Sequence, residues 1–266
     1  MTWSSSPSTS RNNPWTVTNV FIAACCAVYV VTVIQSGNIA EPLTSHRFLN
    51  PASHHVELLG GEGLGWFLLF DAGSVTAFGQ WWRILTAALV HLNPAHLIFN
   101  MILIYLLGRE LERAYGGVVM LGLMVASASG GALACMLFAP STPVGGASTV
   151  GYGMFAMILG LARSRHEDLR APIALILVNL GYSMFGNVSL WGHVGGLVAG
   201  GILAVAISRS RTKVGAGLAA SDMTSTTTEK TTAIVIAAVI FGIAAWMGLG
   251  GHYPPGGLLA TSSPWS

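Results

Sequence analysis

Seven apolar, uncharged runs bounded by polar, Gly or Pro clusters dominate this sequence: residues 16–35, 84–107, 117–138, 147–161, 171–184, 190–207 and 232–249. A helix needs about 20 mostly apolar residues to cross a bilayer, and these runs approach or exceed that length. The remaining residues could not cover a water-soluble body. Only 8% of the chain is charged, against about 25% in a soluble domain, and all ten acidic residues lie outside the seven runs. The expected fold is an all-α, polytopic membrane helix bundle. It divides into a short leader (1–15), a six-span core (16–207) with one long loop (36–82), a polar linker (208–231), a seventh span (232–249) that looks like an appendage, and a tail (250–266). The first run lacks a small-residue cleavage pattern and reads as a retained span rather than a signal peptide.

Lys and Arg near span ends stay on the cytoplasmic side. With the N-terminus inside, ten of the twelve basic residues are cytoplasmic and only Arg47 and Arg83 are external, so the tail is expected outside. The leader is not of the Arg-rich amphipathic mitochondrial kind, which makes a bacterial cytoplasmic membrane the default location. Basic residues scattered in ones and twos form no stripe for DNA or RNA. Cys25, Cys26 and Cys135 sit inside apolar runs and read as packing residues, not a disulfide framework. The long external loop contains the apolar segment 65–70 together with Trp66, Trp81 and Trp82, side chains suited to a membrane interface. A half-submerged loop is the preferred reading; a loop with its own small core is the other.

Polar side chains within spans are costly unless paired or facing a cavity, so the few present carry information. The second run holds His91, His96 and Asn100; the fourth opens with Gly145, Gly146, Ala147 and Ser148, with Tyr152 one turn on; the sixth opens at Trp191 and Gly192 with His193. His91 and His96, five apart on an assumed helix, diverge by about 140° and make a poor metal pair. No HExxH motif and no intramembrane carboxylate is present, which argues against a metalloprotease or an ion-coupled transporter. His96 and Asn100, at i and i+4, share a helix face. Gly192, Gly196 and Gly200 repeat every fourth residue, the small-residue face of closely packed membrane helices. In the chosen orientation all three runs enter from outside, which puts Ser148 and His193 about 5 to 10 Å below the surface. A serine beside a histidine is a nucleophile beside its general base, and a pair of donors suits an oxyanion. With no carboxylate at hand this would be a Ser-His dyad, His193 being held by packing and by the Tyr152 ring. Each residue also has a plainer reading, Ser148 as a helix cap and His193 as a core side chain. A soluble-esterase elbow is excluded, because Val150 stands where its second glycine belongs.

At these residues the chain resembles the rhomboid intramembrane serine proteases, from about the first span through the sixth. The family's Trp-Arg pair looks like Trp82-Arg83; its His-rich opening ending in Asn looks like His91, His96 and Asn100; its Gly-x-Ser motif looks like Gly146-Ala147-Ser148; and its small-residue helix bearing the base looks like the run from Gly192-His193 to Gly200. The resemblance implies Ser148 as nucleophile, His193 as base, His96, Asn100 and the Ser148 N–H as the oxyanion site, and Tyr152 as support for the histidine ring. It also implies a six-helix core with a water-filled cavity and a partly submerged first loop. A seventh span after the core resembles a variant common in bacteria and in secretory-pathway members. Where the family usually has Gly after the serine, this chain has Thr149, whose β-branched side chain restricts the backbone.

The expected function is an intramembrane serine endopeptidase that cuts the spanning segments of other membrane proteins near the external face, with no metal or organic cofactor implied. An inactive, client-binding relative and a small transporter are the alternatives. Its partners would be transmembrane substrates and the lipid bilayer, not nucleic acid.

Overall fold

A computed structural model describes residues 16–43, 47–49, 56–58, 63–185, 189–214 and 226–253. The leader (1–15), the middle of the linker (215–225) and the tail beyond 253 lie outside the described residues. Helix α1 (Val17–Ser36) opens with Thr16 as N-cap, its side chain accepting from the Asn19 N–H. The other free N–H groups of its first turn meet a carboxylate from elsewhere in the chain: Glu112 accepts from the Val17 N–H at 2.7 Å, and from the Thr18 N–H and hydroxyl at 2.9 and 2.7 Å. A negative charge at a helix N-terminus satisfies both the orphan donors and the helix dipole.

The described residues of the loop after α1 hold short regular elements. Two three-residue strands, β1 (Arg47–Leu49) and β2 (Val56–Leu58), pair antiparallel with Arg47 opposite Leu58. They form the one two-stranded sheet among the described residues, and the apolar-run pattern gave no sign of so short a hairpin. Short helices α2 (Leu64–Leu68) and α3 (Ala72–Phe78) follow. Between them Leu69 and Phe70 are buried, and Phe70 exchanges two 2.9 Å backbone hydrogen bonds with Val144. The end of the apolar segment 65–70 thus enters the protein core, while Phe67 remains half exposed.

The second run differs from the expected span at its start. Residues 83–93 form a single turn α4 (Arg83–Thr86), a 3-10 turn (Ala87–Leu89) and an extended stretch; the long helix α5 begins only at Pro94. Asn93 caps α5, its side chain accepting from the His96 N–H at 2.8 Å, and Pro94, with no N–H to give, occupies the first turn. His91 therefore precedes the helix, and the 140° helical argument does not apply to it.

Helix α5 (Pro94–Phe138) joins the second and third runs into 45 residues. A straight helix of that length would reach about 68 Å, more than twice a hydrocarbon core of about 30 Å. It breaks at Gly116, whose φ of 76° and ψ of 166° are not helical. The arms fold back on each other: a Cβ added at Gly108 would lie 3.1 Å from the Met120 side chain. Helices α6 (Ser148–Ser164), α7 (Arg170–Phe185), α8 (Leu190–Val214) and α9 (Thr227–Gly250) complete the bundle. Among the described residues α1, α5, α8 over Leu190–Ser210 and α9 are long and apolar enough to cross a membrane; α6 and α7 are shorter. The helices extend into the expected linker from both sides. Helix α8 continues to Val214, and α9 starts with a capping box between Thr226 and Glu229. Helix α9 is no loose appendage, since Ala233, Ala237, Ala244 and Gly248 are buried against the body of the protein. A hydroxyl from α3 fastens it, Thr76 donating to the Gly248 carbonyl at 2.7 Å.

Candidate active site

Helix α8 lies against both α6 and the second arm of α5, and glycines make that approach possible. A Cβ at Gly196 or Gly200 would collide with the α6 backbone at Thr149 and Gly153, and one at Gly195 would collide with the α5 carbonyl of Gly130. The expected Gly192, Gly196 and Gly200 face therefore meets α6, while Gly130, Gly131 and Gly153 are partners on other helices to which a four-residue repeat within α8 does not point. The consequence is positional: Ser148 at the first turn of α6 and His193 at the first turn of α8 face each other. The Ser148 hydroxyl and His193 Nε2 are 2.7 Å apart.

Three further contacts set the histidine. Its ring stacks on Tyr152 with centroids 4.3 Å apart and planes 16° apart. Its backbone N–H donates to the Ser189 carbonyl at 3.1 Å, and the Ser189 hydroxyl accepts from the Gly192 N–H at 3.1 Å. Ser189 thus caps the start of α8, a role legible in a serine placed directly before an apolar run but not assigned from the sequence.

The serine is set from the other side. Residues 144–146 run extended between the Phe70 backbone and Ala87, whose carbonyl accepts from the Gly146 N–H at 2.9 Å. Gly146 has φ of +142°, which favours glycine, and a Cβ there would lie 2.9 Å from His96 Nε2 and 3.4 Å from the Ser148 hydroxyl. Only a glycine lets the His96 ring come this close to the serine. The Leu92 N–H donates to His96 Nδ1 at 3.4 Å, so the proton of a neutral His96 resides on Nε2, the nitrogen nearer Gly146. Asn100 is buried and its amide donates to the His96 carbonyl at 2.8 Å. It stands one turn behind His96 and is not among the residues lining the cavity.

The cavity over these groups has a volume of about 480 Å³ and exposes Ser148, His193, His96 and Ser189 beneath walls from Trp66, Leu69, Leu92 and the 142–145 segment. Trp82 and Arg83 lie outside it and hold its rim. Arg83 Nη1 donates to the Trp66 and Leu69 carbonyls, Arg83 Nε to Gln80, and the Trp82 indole to the Phe67 carbonyl. His91 is buried beside His96, ring centroids 5.2 Å apart. Thr149 is accommodated where glycine is usual: its methyl lies against Gly131 of α5 and Gly192 of α8, neither of which carries a side chain that would meet it. Among the described residues no three His, Cys, Asp or Glu side chains gather as a metal site.

A family model described as the rhomboid domain matches residues 78–210, half of the chain. The chain belongs to the rhomboid family. Among its relatives, Rhomboid protease GluP of Bacillus subtilis is 34% identical over 140 residues, 50% of this chain and 27% of that protein. Rhomboid-like protease 1 of Toxoplasma gondii is 36% identical over 134 residues, 46% of this chain and 45% of the relative. Rhomboid protease AarA of Providencia stuartii is 27% identical over 177 residues, 52% and 61% of the two chains. In each case the match spans less than two thirds of the relative. The rhomboid match includes Trp82 through His193, and so every residue of the cavity floor.

Proposed function

We propose that the protein is an intramembrane serine endopeptidase in which Ser148 and His193 form the catalytic dyad. The observation that carries this reading is the 2.7 Å contact between them at the floor of an open cavity. In the first step the Ser148 oxygen attacks the scissile carbonyl and its proton passes to His193 Nε2. Collapse of the tetrahedral intermediate expels the amine, which takes that proton, and leaves an acyl-serine. Water, deprotonated by His193, then releases the acid. The negative oxygen of each intermediate would be met by the His96 Nε2–H, by the free Ser148 N–H at the start of α6, and by Asn100, which has a second amide hydrogen beyond the one given to His96. Tyr152 supports the His193 ring, and His91, Gly146, Trp82 and Arg83 position these groups.

The two arms of α5, together with α1, α6, α7 and α8, are read as a six-span core and α9 as a seventh span. The positive-inside bias puts the N-terminus in the cytoplasm, the catalytic ends of α6 and α8 toward the outside, and the tail external, in a bacterial cytoplasmic membrane by default. Substrates would be transmembrane segments of other proteins. Those with small or helix-breaking residues near the cut should be preferred, because a chain must leave the helix before its carbonyl can be attacked. Labelling of the purified protein by a fluorescent fluorophosphonate, alongside cleavage of a model transmembrane substrate, tests the assignment. Both should be lost in Ser148→Ala and His193→Ala, with kcat falling by about 10⁴-fold or more. Cleavage that survives either change would overturn the dyad, and client binding without cleavage or labelling by the folded wild type would favour an inactive relative.

A further inference from the structure

Along the parts of α6 and α8 that lead away from Ser148 and His193, a second cavity of about 810 Å³ opens between these helices and α7. Its wall is almost wholly aliphatic: Ile173 and Leu177 of α7 face Gly201 and Val205 of α8, and Leu177 is 62% exposed. Its far end is different, for Arg163 of α6 and Arg209 of α8 both line it. Neither arginine has an ion-pair partner among the described residues, whereas Glu110 nearby is already shared by Arg113 and Arg165. The groove follows α8 from Leu197 to Arg209, twelve residues or about 18 Å. One leaflet of a hydrocarbon core is about 15 Å deep. An apolar trough of that depth ending in two unpaired guanidinium groups has the dimensions and charge of one acidic lipid, acyl chain inward and phosphate outward.

We propose that this groove is a binding site for an anionic phospholipid of the cytoplasmic leaflet, with its phosphodiester held between Arg163 and Arg209 and an acyl chain lying between α7 and α8. The occupant is favoured over a protein helix by the charged end, which a transmembrane helix would have to match with a carboxylate at the same depth. The arginine end of the groove lies about 24 Å along α8 from His193, and its occupancy can be read without any proteolysis.

Native mass spectrometry of the full-length protein in a neutral detergent, titrated with phosphatidylglycerol or with phosphatidylcholine of the same chains, tests it. One phosphatidylglycerol should be retained in preference to phosphatidylcholine. Two independent variants should each remove that preference: Arg163→Gln with Arg209→Gln, which takes away the charges, and Gly201→Leu, which fills the groove from a position where an added Cβ meets nothing within 4 Å. A loss of phosphatidylglycerol affinity of about tenfold or more is expected for the double charge variant. Fluorophosphonate labelling of Ser148, or an unchanged unfolding temperature if the dyad reading fails, verifies that the variants are folded. Equal retention of both lipids, or retention indifferent to both variants, overturns the proposal. So does displacement of lipid of either kind by an apolar transmembrane peptide without charge preference, which would make the groove a helix-docking face.

Discussion

Gly146 is the residue on which the site turns most sharply. Its backbone angle and the 2.9 Å between its absent Cβ and His96 Nε2 mean that Gly146→Ala must both strain the chain and push the imidazole away from Ser148. The expected result is a folded protein whose kcat/KM falls by about 10²-fold or more, measured on a transmembrane substrate. Thr149→Gly tests the opposite neighbour. It removes a methyl packed between Gly131 and Gly192 and adds a helix glycine, so thermal stability should drop, by about 1 to 2 kcal/mol, with the dyad retained. The pH dependence of cleavage belongs here too. His193 acts as a base only when neutral, so activity should be full above the pH at which its own imidazole takes up a proton and fall by about tenfold per pH unit below it. A rate that rises on acidification would exclude His193 as the base. Ser148, His193, His96 and Tyr152 could all be picked from sequence because polar groups are rare in apolar runs. Ser189 is not singled out, because a serine before an apolar run reads as a plain helix cap until the start of α8 brings it beside His193.

At the scale of elements, the packing of α8 is set by backbone meeting backbone. Gly196→Ala would drive a Cβ into the main chain of Thr149, where no rotamer change can relieve it. A loss of about 1 to 3 kcal/mol or more in unfolding free energy is expected, with activity falling as the Ser148 to His193 distance opens. Arg83 makes the corresponding connection in the loop. Its guanidinium serves two carbonyls of the cavity wall, and Arg83→Ala leaves them short of a partner at about 1 to 3 kcal/mol each if buried. That variant should be less stable and should lose substrate affinity before it loses fluorophosphonate reactivity, since Trp66 and Leu69 shape the cavity while the dyad lies beneath. The apolar runs overlap every long helix among the described residues, yet they put the start of the second span ten residues before Pro94 and divided α5 in two. An Asn-Pro pair is a stronger helix-start signal than continued hydrophobicity, because proline has no N–H to carry the helix through from the preceding turn.

For the whole molecule the testable quantity is orientation. Single cysteines introduced at the charged turn near Arg109 and at the α9 exit near His252, in a background where Cys25, Cys26 and Cys135 are replaced by Ala, should react with an impermeant maleimide from opposite sides of the membrane. The site near His252 should label from outside. Labelling of both from the same side would remove the seven-span arrangement. Helix α9 also bears on the site at this scale, since it supports α3 through Thr76 and the buried Gly248 against Val75. Truncation before α9 should therefore loosen the loop that walls the cavity.

Apolar length, scarce charge and a few intramembrane polar residues were enough to determine a helical membrane protein and to single out its candidate dyad, because a bilayer penalises every unpaired polar group and leaves such residues conspicuous; the family was legible only through the resemblance of the motifs around them. What only the tertiary structure decided was contact across elements: the fold-back at Gly116, the Phe70 to Val144 bridge that aligns the serine segment, and the glycines of α5 that receive Thr149. Those depend on which backbones approach closely enough to touch, and spacing along one helix carries no information about the surface of another.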